Sequence, residues 1–527
     1  MFDLIISGGQ ICDGSGGKPF IADIGIAGKE IAAVGNLSEA DTKERFDASG
    51  LTVMPGFIDV HTHSDMALFL DPDRTAPLCQ GITTEITGAC GLGLFPLPDD
   101  RWCELMAGIY GCKARSFRSC AEYLAALPPT GVNAAVQLAH SPLRFSLCGM
   151  EDILLPRRKA AELVRQAFEE GACGFSTGLA YFPAAFDDTD TVAELCRTAK
   201  DFGVVLSVHQ RTAFRGDPGK FDSKEEVLEF ARKSGIAVQY SHYRTTPATA
   251  GQTRTILEYI ERGRAEGLDV TADFYPYPVG AGYAAVNLPF SVMNGTLPEI
   301  LNKIRKPQVY TAILEKWRSD PKFALKCVLL HAPRHPDYIG KTYAELADLE
   351  KKDIPQFLLD LLISEKLEAA YRLETGFSQE SLELLELDFL ELLKQPWYML
   401  GSDTLPGHQL VHPRSFGAFA RMLAIAVRHG FPPETFANRA AGLPAERFHL
   451  AGRGFIREHY FADLCVFDPE KVRDTATFEM PVQTAQGMKL VTVNGKIALR
   501  DGKTTGIRSG MPLRRGQKQQ GRKNGNL

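Results

Sequence analysis

The chain's first group of residues suited to chemistry is Phe57-Ile58-Asp59-Val60-His61-Thr62-His63. Two histidines one residue apart on a strand point to the same face. Imidazole is the commonest protein ligand for zinc, yet a lone His-x-His pair arises readily by chance. Four more residues strengthen it: Cys90 in Gly88-Ala89-Cys90-Gly91, His209 in Leu206-Ser207-Val208-His209, His242 in Gln239-Tyr240-Ser241-His242, and Asp403 in Leu400-Gly401-Ser402-Asp403. Each stands where an apolar run gives way to a loop. Taken singly, a strand-end histidine is usually a core-edge residue and Cys90 a small buried hydrophobe. Six such residues at the strand ends of one fold are hard to attribute to chance. Imidazoles, a thiolate and a carboxylate together suit a zinc site.

Other conspicuous residues receive blander readings. Glu85, inside Ile82–Thr87, reads as half of an ion pair at the rim, and His140 ends a strand near the pocket. His331, His335, His408, His412, His429, His449 and His459 fall in loops or helices and are not read as ligands. Gly91-Leu92-Gly93 lacks the spacing of a nucleotide loop.

The elements that must position the six follow a regular rhythm. Strand-like runs occur at 57–60, 82–87, 132–138, 173–176, 204–208, 236–241, 268–274 and 397–401. Helical patterns lie between several of them. Arg157 to Glu170 has apolar residues at helical spacing and stops at Gly171, and Ser223 with Glu226 suggests a capping box. Strands alternating with helices imply an α/β fold, a TIM-like (β/α)8 barrel whose active-site mouth lies at the strands' C-terminal ends. Residues about 284–395 hold more elements than one crossover needs, so they read as an insertion after barrel strand 7. Short strands punctuated by turns fill residues 1–54, and similar ones return after 451, including a hairpin at Asn494-Gly495. The expected organisation is a small β-sandwich built by both chain ends (1–54 and 451–512), a barrel at 55–450 and a basic flexible tail at 513–527.

Composition narrows the function classes. Of 527 residues, 44% are hydrophobic and 23% charged, which suits a large globular core. Lys+Arg number 59 against 64 Asp+Glu, a net charge of −5, so no nucleic-acid or anionic-membrane field is implied. No apolar run reaches the ~18 residues of a membrane helix. The 11 scattered cysteines point to a reducing, cytoplasmic setting.

Val53-Met54-Pro55-Gly56 leading into Phe57–His63 is similar to the amidohydrolase superfamily signature. Within that superfamily the chain resembles the N-acyl-D-amino-acid deacylases (D-aminoacylases). Supporting stretches are Gly81-Ile82-Thr83-Thr84, Gly171 to Leu179, Asp269 to Tyr277, His412-Pro413-Arg414 and Ala462 to Asp468. The resemblance spans residues 2 to about 512 and implies hydrolysis of N-acyl-D-amino acids to a carboxylate and a free D-amino acid. It implies a tight Zn2+ site at Cys90, His209 and His242, and a second, weakly occupied site at His61 and His63 that Cys90 bridges. Asp403 would be a metal ligand and the catalytic acid–base. Tyr181, Arg244 and Arg414 would receive the substrate's carboxylate. The fourth strand offers no lysine for the carbamate that bridges metals in many relatives, and the Cys90 thiolate supplies that missing anion. The chain departs from the family at Arg244, where lysine is usual, and at Thr404, where glycine is common. Rival readings are another amidohydrolase reaction, on a cyclic imide, dihydroorotate, hydantoin or dipeptide, and a non-catalytic scaffold. The expected partner is a small molecule; oligomeric state is not legible.

Overall fold

A computed structural model describes residues 1–211, 222–320, 326–374 and 376–516. Eight parallel strands form its centre: Phe57–Asp59, Ile82–Thr87, Asn133–Ala139, Gly174–Gly178, Val205–His209, Ala237–Tyr240, Val270–Phe274 and Tyr398–Leu400, paired in that order. The eighth returns to the first. Val60 N–H donates to the Leu400 carbonyl at 3.5 Å, Asp403 N–H donates to the His61 carbonyl at 2.8 Å, and Thr62 bridges Thr404 in parallel. The sheet is therefore nearly closed into the expected barrel.

The barrel's lower interior is packed and sealed. Ile58, Ile86, Ala135, Cys173, Val205 and Met399 form one apolar cluster with Phe448, Leu450 and Leu513. Leu513 N–H donates to the Ala134 carbonyl at 2.7 Å and Arg515 N–H to the Gly171 carbonyl at 2.9 Å, so the chain beyond the last strand runs back beneath the barrel. The rest of the expected basic tail, 517–527, lies outside the described residues. With this end filled by side chains, chemistry belongs to the strands' C-terminal end.

Strands from both chain ends join a single nine-stranded sheet. Thr52–Pro55 is its seam, parallel to Leu4–Ile11 and antiparallel to Leu464–Phe467. Ile6, Ile24, Ile26, Val53, Leu464, Val466 and Leu490 give it a core of its own. The Asn494-Gly495 hairpin forms with both residues at positive φ (47° and 74°), the geometry for which Asn-Gly is selected.

After barrel strand 7 the chain builds a three-stranded antiparallel sheet, Ala281–Tyr283, Ala370–Leu373 and Cys327–His331, with helices that include Ile354–Ser364 and Gln379–Lys394. This is the expected insertion. One local reading is corrected. The helix Ser223–Ser234 is capped by Asp222, whose carboxylate accepts from Lys224 and Glu225 N–H, and Ser223 is already helical. Glu226 pairs instead with buried Arg211 at 3.1 Å, so it cannot complete a box. Among the described residues no helix is long and apolar enough to cross a membrane.

Candidate metal centre

The six side chains expected to bind metal meet at the open end of the barrel. His61, His63, Cys90 and Asp403 have ligand atoms within 4.8 Å of one another, and so do Cys90, His209 and His242. Cys90 belongs to both groups. Its Sγ lies 3.1 Å from His61 Nε2 and 3.7 Å from His242 Nε2. His242 Nε2 lies 2.8 Å from His209 Nδ1. Asp403 Oδ1 lies 3.5 Å from His61 Nε2 and 3.3 Å from His63 Nε2.

Strand ends and tight turns fix these positions. Asp59 Oδ1 accepts from the N–H groups of His61 (3.2 Å) and Ser402 (2.8 Å), clasping the ends of strands 1 and 8. His63 N–H donates to the Thr404 carbonyl at 3.1 Å, and a Cβ at Gly401 would stand 2.5 Å from that of His61. Gly178 is as constrained: its Cβ would meet the Cys90 carbonyl oxygen at 2.0 Å. Cys90, His242 and Asp403 all adopt positive φ, 54°, 41° and 51°. Non-glycine residues pay for that conformation, and such strain concentrates at functional sites.

The donors suit a divalent cation of zinc's type: nitrogen, sulfur and one carboxylate. Their electrostatics agree. Burial alone would push the Cys90 thiol up, but His61, His209 and His242 outweigh it and hold the thiol well below its ordinary value. Burial also opposes ionisation of Asp403, yet Arg414, His63 and His61 keep its carboxyl well below the usual range. Burial pushes His209 down, which favours the neutral imidazole that a metal requires. His63 rises to about 9 despite burial, because Asp403 and Cys90 are its neighbours. Two anions among four imidazoles need neutralisation by protons or by a cation, and metal binding exchanges the first for the second.

The three residues expected to receive a carboxylate line the same mouth. The Tyr181 ring lies 4.9 Å from that of His209. The guanidinium groups of Arg244 and Arg414 lie 4.4 and 4.7 Å from the centroid of Tyr275. Arg414 is fully buried, and its Nη1 stands 2.7 Å from Asp403 Oδ2. Alignment for a hydrogen bond is poor, and none of its three nitrogens makes one within the protein.

Sequence reasoning placed Glu85 in an ion pair, which holds, but at the rim, which does not. Glu85 is buried and accepts bidentately from Arg74 (2.8 Å each) and from Ser64 Oγ (2.8 Å), bracing the residue next to His63. His140 is fully buried between Thr177 Oγ1 and Asp187 Oδ2, both at 3.0 Å, and takes no part in the centre. Two residues were missed. Tyr275 carries both arginines. Asp273, buried on strand 7, lies with Oδ1 3.0 Å from His61 Nδ1. A lone charged residue within the buried strand Val270–Phe274 was the available signal for Asp273.

Residues 44–239 match the amidohydrolase family model. The chain is 33% identical over 524 residues to a D-aminoacylase of Alcaligenes xylosoxydans xylosoxydans, covering 98% of each protein. The chain belongs to the D-aminoacylase family of amidohydrolases. Among solved structures in this family, it resembles the N-acyl-D-glutamate deacylase of Bordetella bronchiseptica, complexed with zinc and a phosphonate mimic of the tetrahedral intermediate. That match has a TM-score of 0.79 and 29% identity, covering 97% of this chain and 99% of that one. A D-aminoacylase described as having a binuclear metal centre superposes with a TM-score of 0.81 at 31% identity, covering 98% and 100%.

Proposed function

We propose that this chain is a zinc-dependent deacylase that hydrolyses N-acyl-D-amino acids to a carboxylate and a free D-amino acid. The observation that carries the reading is the convergence of Cys90, four imidazoles and Asp403 within one barrel mouth, in a chain that matches D-aminoacylases end to end. The D preference comes from those relatives, and the zinc from the N-acyl-D-glutamate deacylase structure. Cys90, His209 and His242 would hold the tight ion, and His61, His63 and Cys90 a second, weaker one, with Asp403 beside them. Bound zinc would supply Lewis acidity for activating water and polarising the amide carbonyl.

The protein's own groups do the rest. Asp403 is ionised at neutral pH, the form that accepts a proton from the attacking water. Once it has taken that proton, Asp403 can deliver it to the amide nitrogen, which leaves poorly without it. Arg414 helps to hold the Asp403 carboxyl low and keeps unspent N–H groups in the same mouth. Arg244 and Arg414, splayed on Tyr275, present donors for the substrate's carboxylate, with Tyr181 beside them. The substrate is a small molecule. A cytoplasmic setting suits the protein, whose eleven cysteines are all free thiols.

The test is turnover of N-acetyl-D-amino acids beside their L-enantiomers and a cyclic amide, before chelation, after chelation and after zinc is restored. Chelation-sensitive, D-selective hydrolysis is the expected result. Activity confined to the cyclic amide would overturn the reading in favour of another amidohydrolase reaction.

A further inference from the structure

One buried carboxylate touches a residue of each donor group. Asp273 Oδ1 lies 3.0 Å from His61 Nδ1 and accepts from the backbone N–H of His242 at 2.8 Å. Its Oδ2 accepts from Gln239 Nε2 at 2.6 Å. His61 belongs to the group with His63, Cys90 and Asp403, whereas His242 belongs to the group with Cys90 and His209.

Each contact has a physical consequence. With Nδ1–H committed to Asp273, His61 is held in the tautomer that leaves the Nε2 lone pair facing Cys90 and Asp403. A carboxylate on the far ring nitrogen also makes that lone pair more basic. The bond to His242 N–H works on the backbone. His242 sits at φ 41°, a conformation that costs energy unless its surroundings fix it. That peptide N–H belongs to the turn that aims the His242 ring at Cys90. Gln239, two strand positions before Ser241, holds the second oxygen and stops the carboxylate from rotating away.

We infer that Asp273 is the positioning residue that sets metal affinity at both groups of donors, orienting His61 through its ring and His242 through its backbone. The inference rests on the zinc reading above.

The variant Asp273→Asn isolates the charge. Asparagine Oδ1 can still accept from His61 and His242, and Gln239 Oε1, buried without a partner, is placed to accept from the new amide if Gln239 flips. The measurement is zinc per full-length chain and zinc affinity by chelator competition. Asp273→Asn should weaken binding about 10–100-fold, the range for loss of a ligand's supporting carboxylate, with loss at both sites. Gln239→Met, which leaves both contacts of Oδ1, should move affinity the same way by less. In a His61→Ala background, Asp273→Ala, which removes the acceptor of the His242 N–H, should still weaken the site that remains. Unchanged zinc affinity in a folded Asp273→Asn protein would overturn the inference. Should that variant not fold, unchanged affinity in Gln239→Met would do so. A wild-type chain that takes up no zinc would instead sink the zinc reading itself.

Discussion

The two walls of the barrel mouth are built differently. The wall proposed to face the metal consists of strand ends tied to one another: Asp59 clasps strands 1 and 8, Asp273 ties strand 7 to His61 and His242, and Asp403 N–H is bonded to the His61 carbonyl. Its side chains have one arrangement because the barrel's hydrogen bonding has one register. The neighbouring wall, which would meet the substrate's carboxylate, consists of loop residues and the first residue of the helix Arg414–Arg428. Arg244 and Arg414 both lie against the Tyr275 ring, and none of the three Arg414 side-chain nitrogens makes a hydrogen bond within the protein. The lesson is a division of labour. Geometry that must be precise before substrate arrives is fixed by the sheet, whereas groups that gain their partner only on binding are held by stacking and left polar.

Substitutions on the two walls should therefore fail in different ways. The largest effect is expected on the metal-facing wall. Asp403→Asn keeps the shape and removes the proposed proton acceptor, so kcat should fall about 10²–10⁴-fold, with zinc content measured alongside. Retention of wild-type kcat at full zinc loading would show that the proton travels by another group. Arg414→Ala comes next and has a mixed signature. A charge-assisted hydrogen bond contributes about 1.5–3 kcal/mol, so KM should rise about 10–100-fold. Because Arg414 also holds the Asp403 carboxyl low, the acidic limb of the kcat profile should move to higher pH. A variant with raised KM and an unmoved profile would confine Arg414 to binding. Arg244→Lys, which restores the family's usual residue, should be milder. It trades a fork for a point charge and weakens stacking on Tyr275, so KM should change by less than for Arg414→Ala, with zinc content unaffected. Loss of zinc in that variant would join the two walls into one unit.

How much of this was legible in the sequence follows the same division. The barrel strands were readable within a residue or two because short buried segments alternate with helical patterns, and the candidate ligands stood out because each lies at or just past the end of one. The nine-stranded sheet was recognisable at Asn494-Gly495, where turn chemistry is local. The partners behind the ligands were not. Asp273 finds His61 across a separation of 212 residues, and nothing near either one announces the other. Glu85 was misplaced at the rim for the same reason: Arg74, which permits its burial, lies on the preceding loop and has no helical or strand spacing to it. The approach of two arginines to Tyr275 depends on the loops after strands 6 and 7 and on where the helix Arg414–Arg428 begins, and such long-range placement is where a single sequence says least.

The smallest expected effect tests the looser wall through its stability. His408, on the loop after Asp403, is buried, with its ring 5.6 Å from that of His331 in the inserted sheet and its Nε2 3.0 Å from the Gly108 carbonyl. Burial, and after it the neighbouring His331 and Arg414, lower its pKa to about 3. The folded protein thus keeps this imidazole neutral where the unfolded chain, with a pKa near 6.5, takes up a proton. The unfolded state binds more protons between those two values, so stability is intact above about pH 6.5 and is lost as pH falls toward 3. The slope is at most about 1.4 kcal/mol per pH unit from this one group. His408→Gln, which retains a donor for Gly108 but cannot be protonated, should show a flatter fall in melting temperature between pH 6.5 and 5 than the wild type. Zinc release contributes its own pH dependence on the metal-facing wall, so both proteins are compared after chelation. Identical slopes would mean that the loop opens and solvates His408 before it protonates, and the looser wall would then be loose enough to admit water as well as substrate.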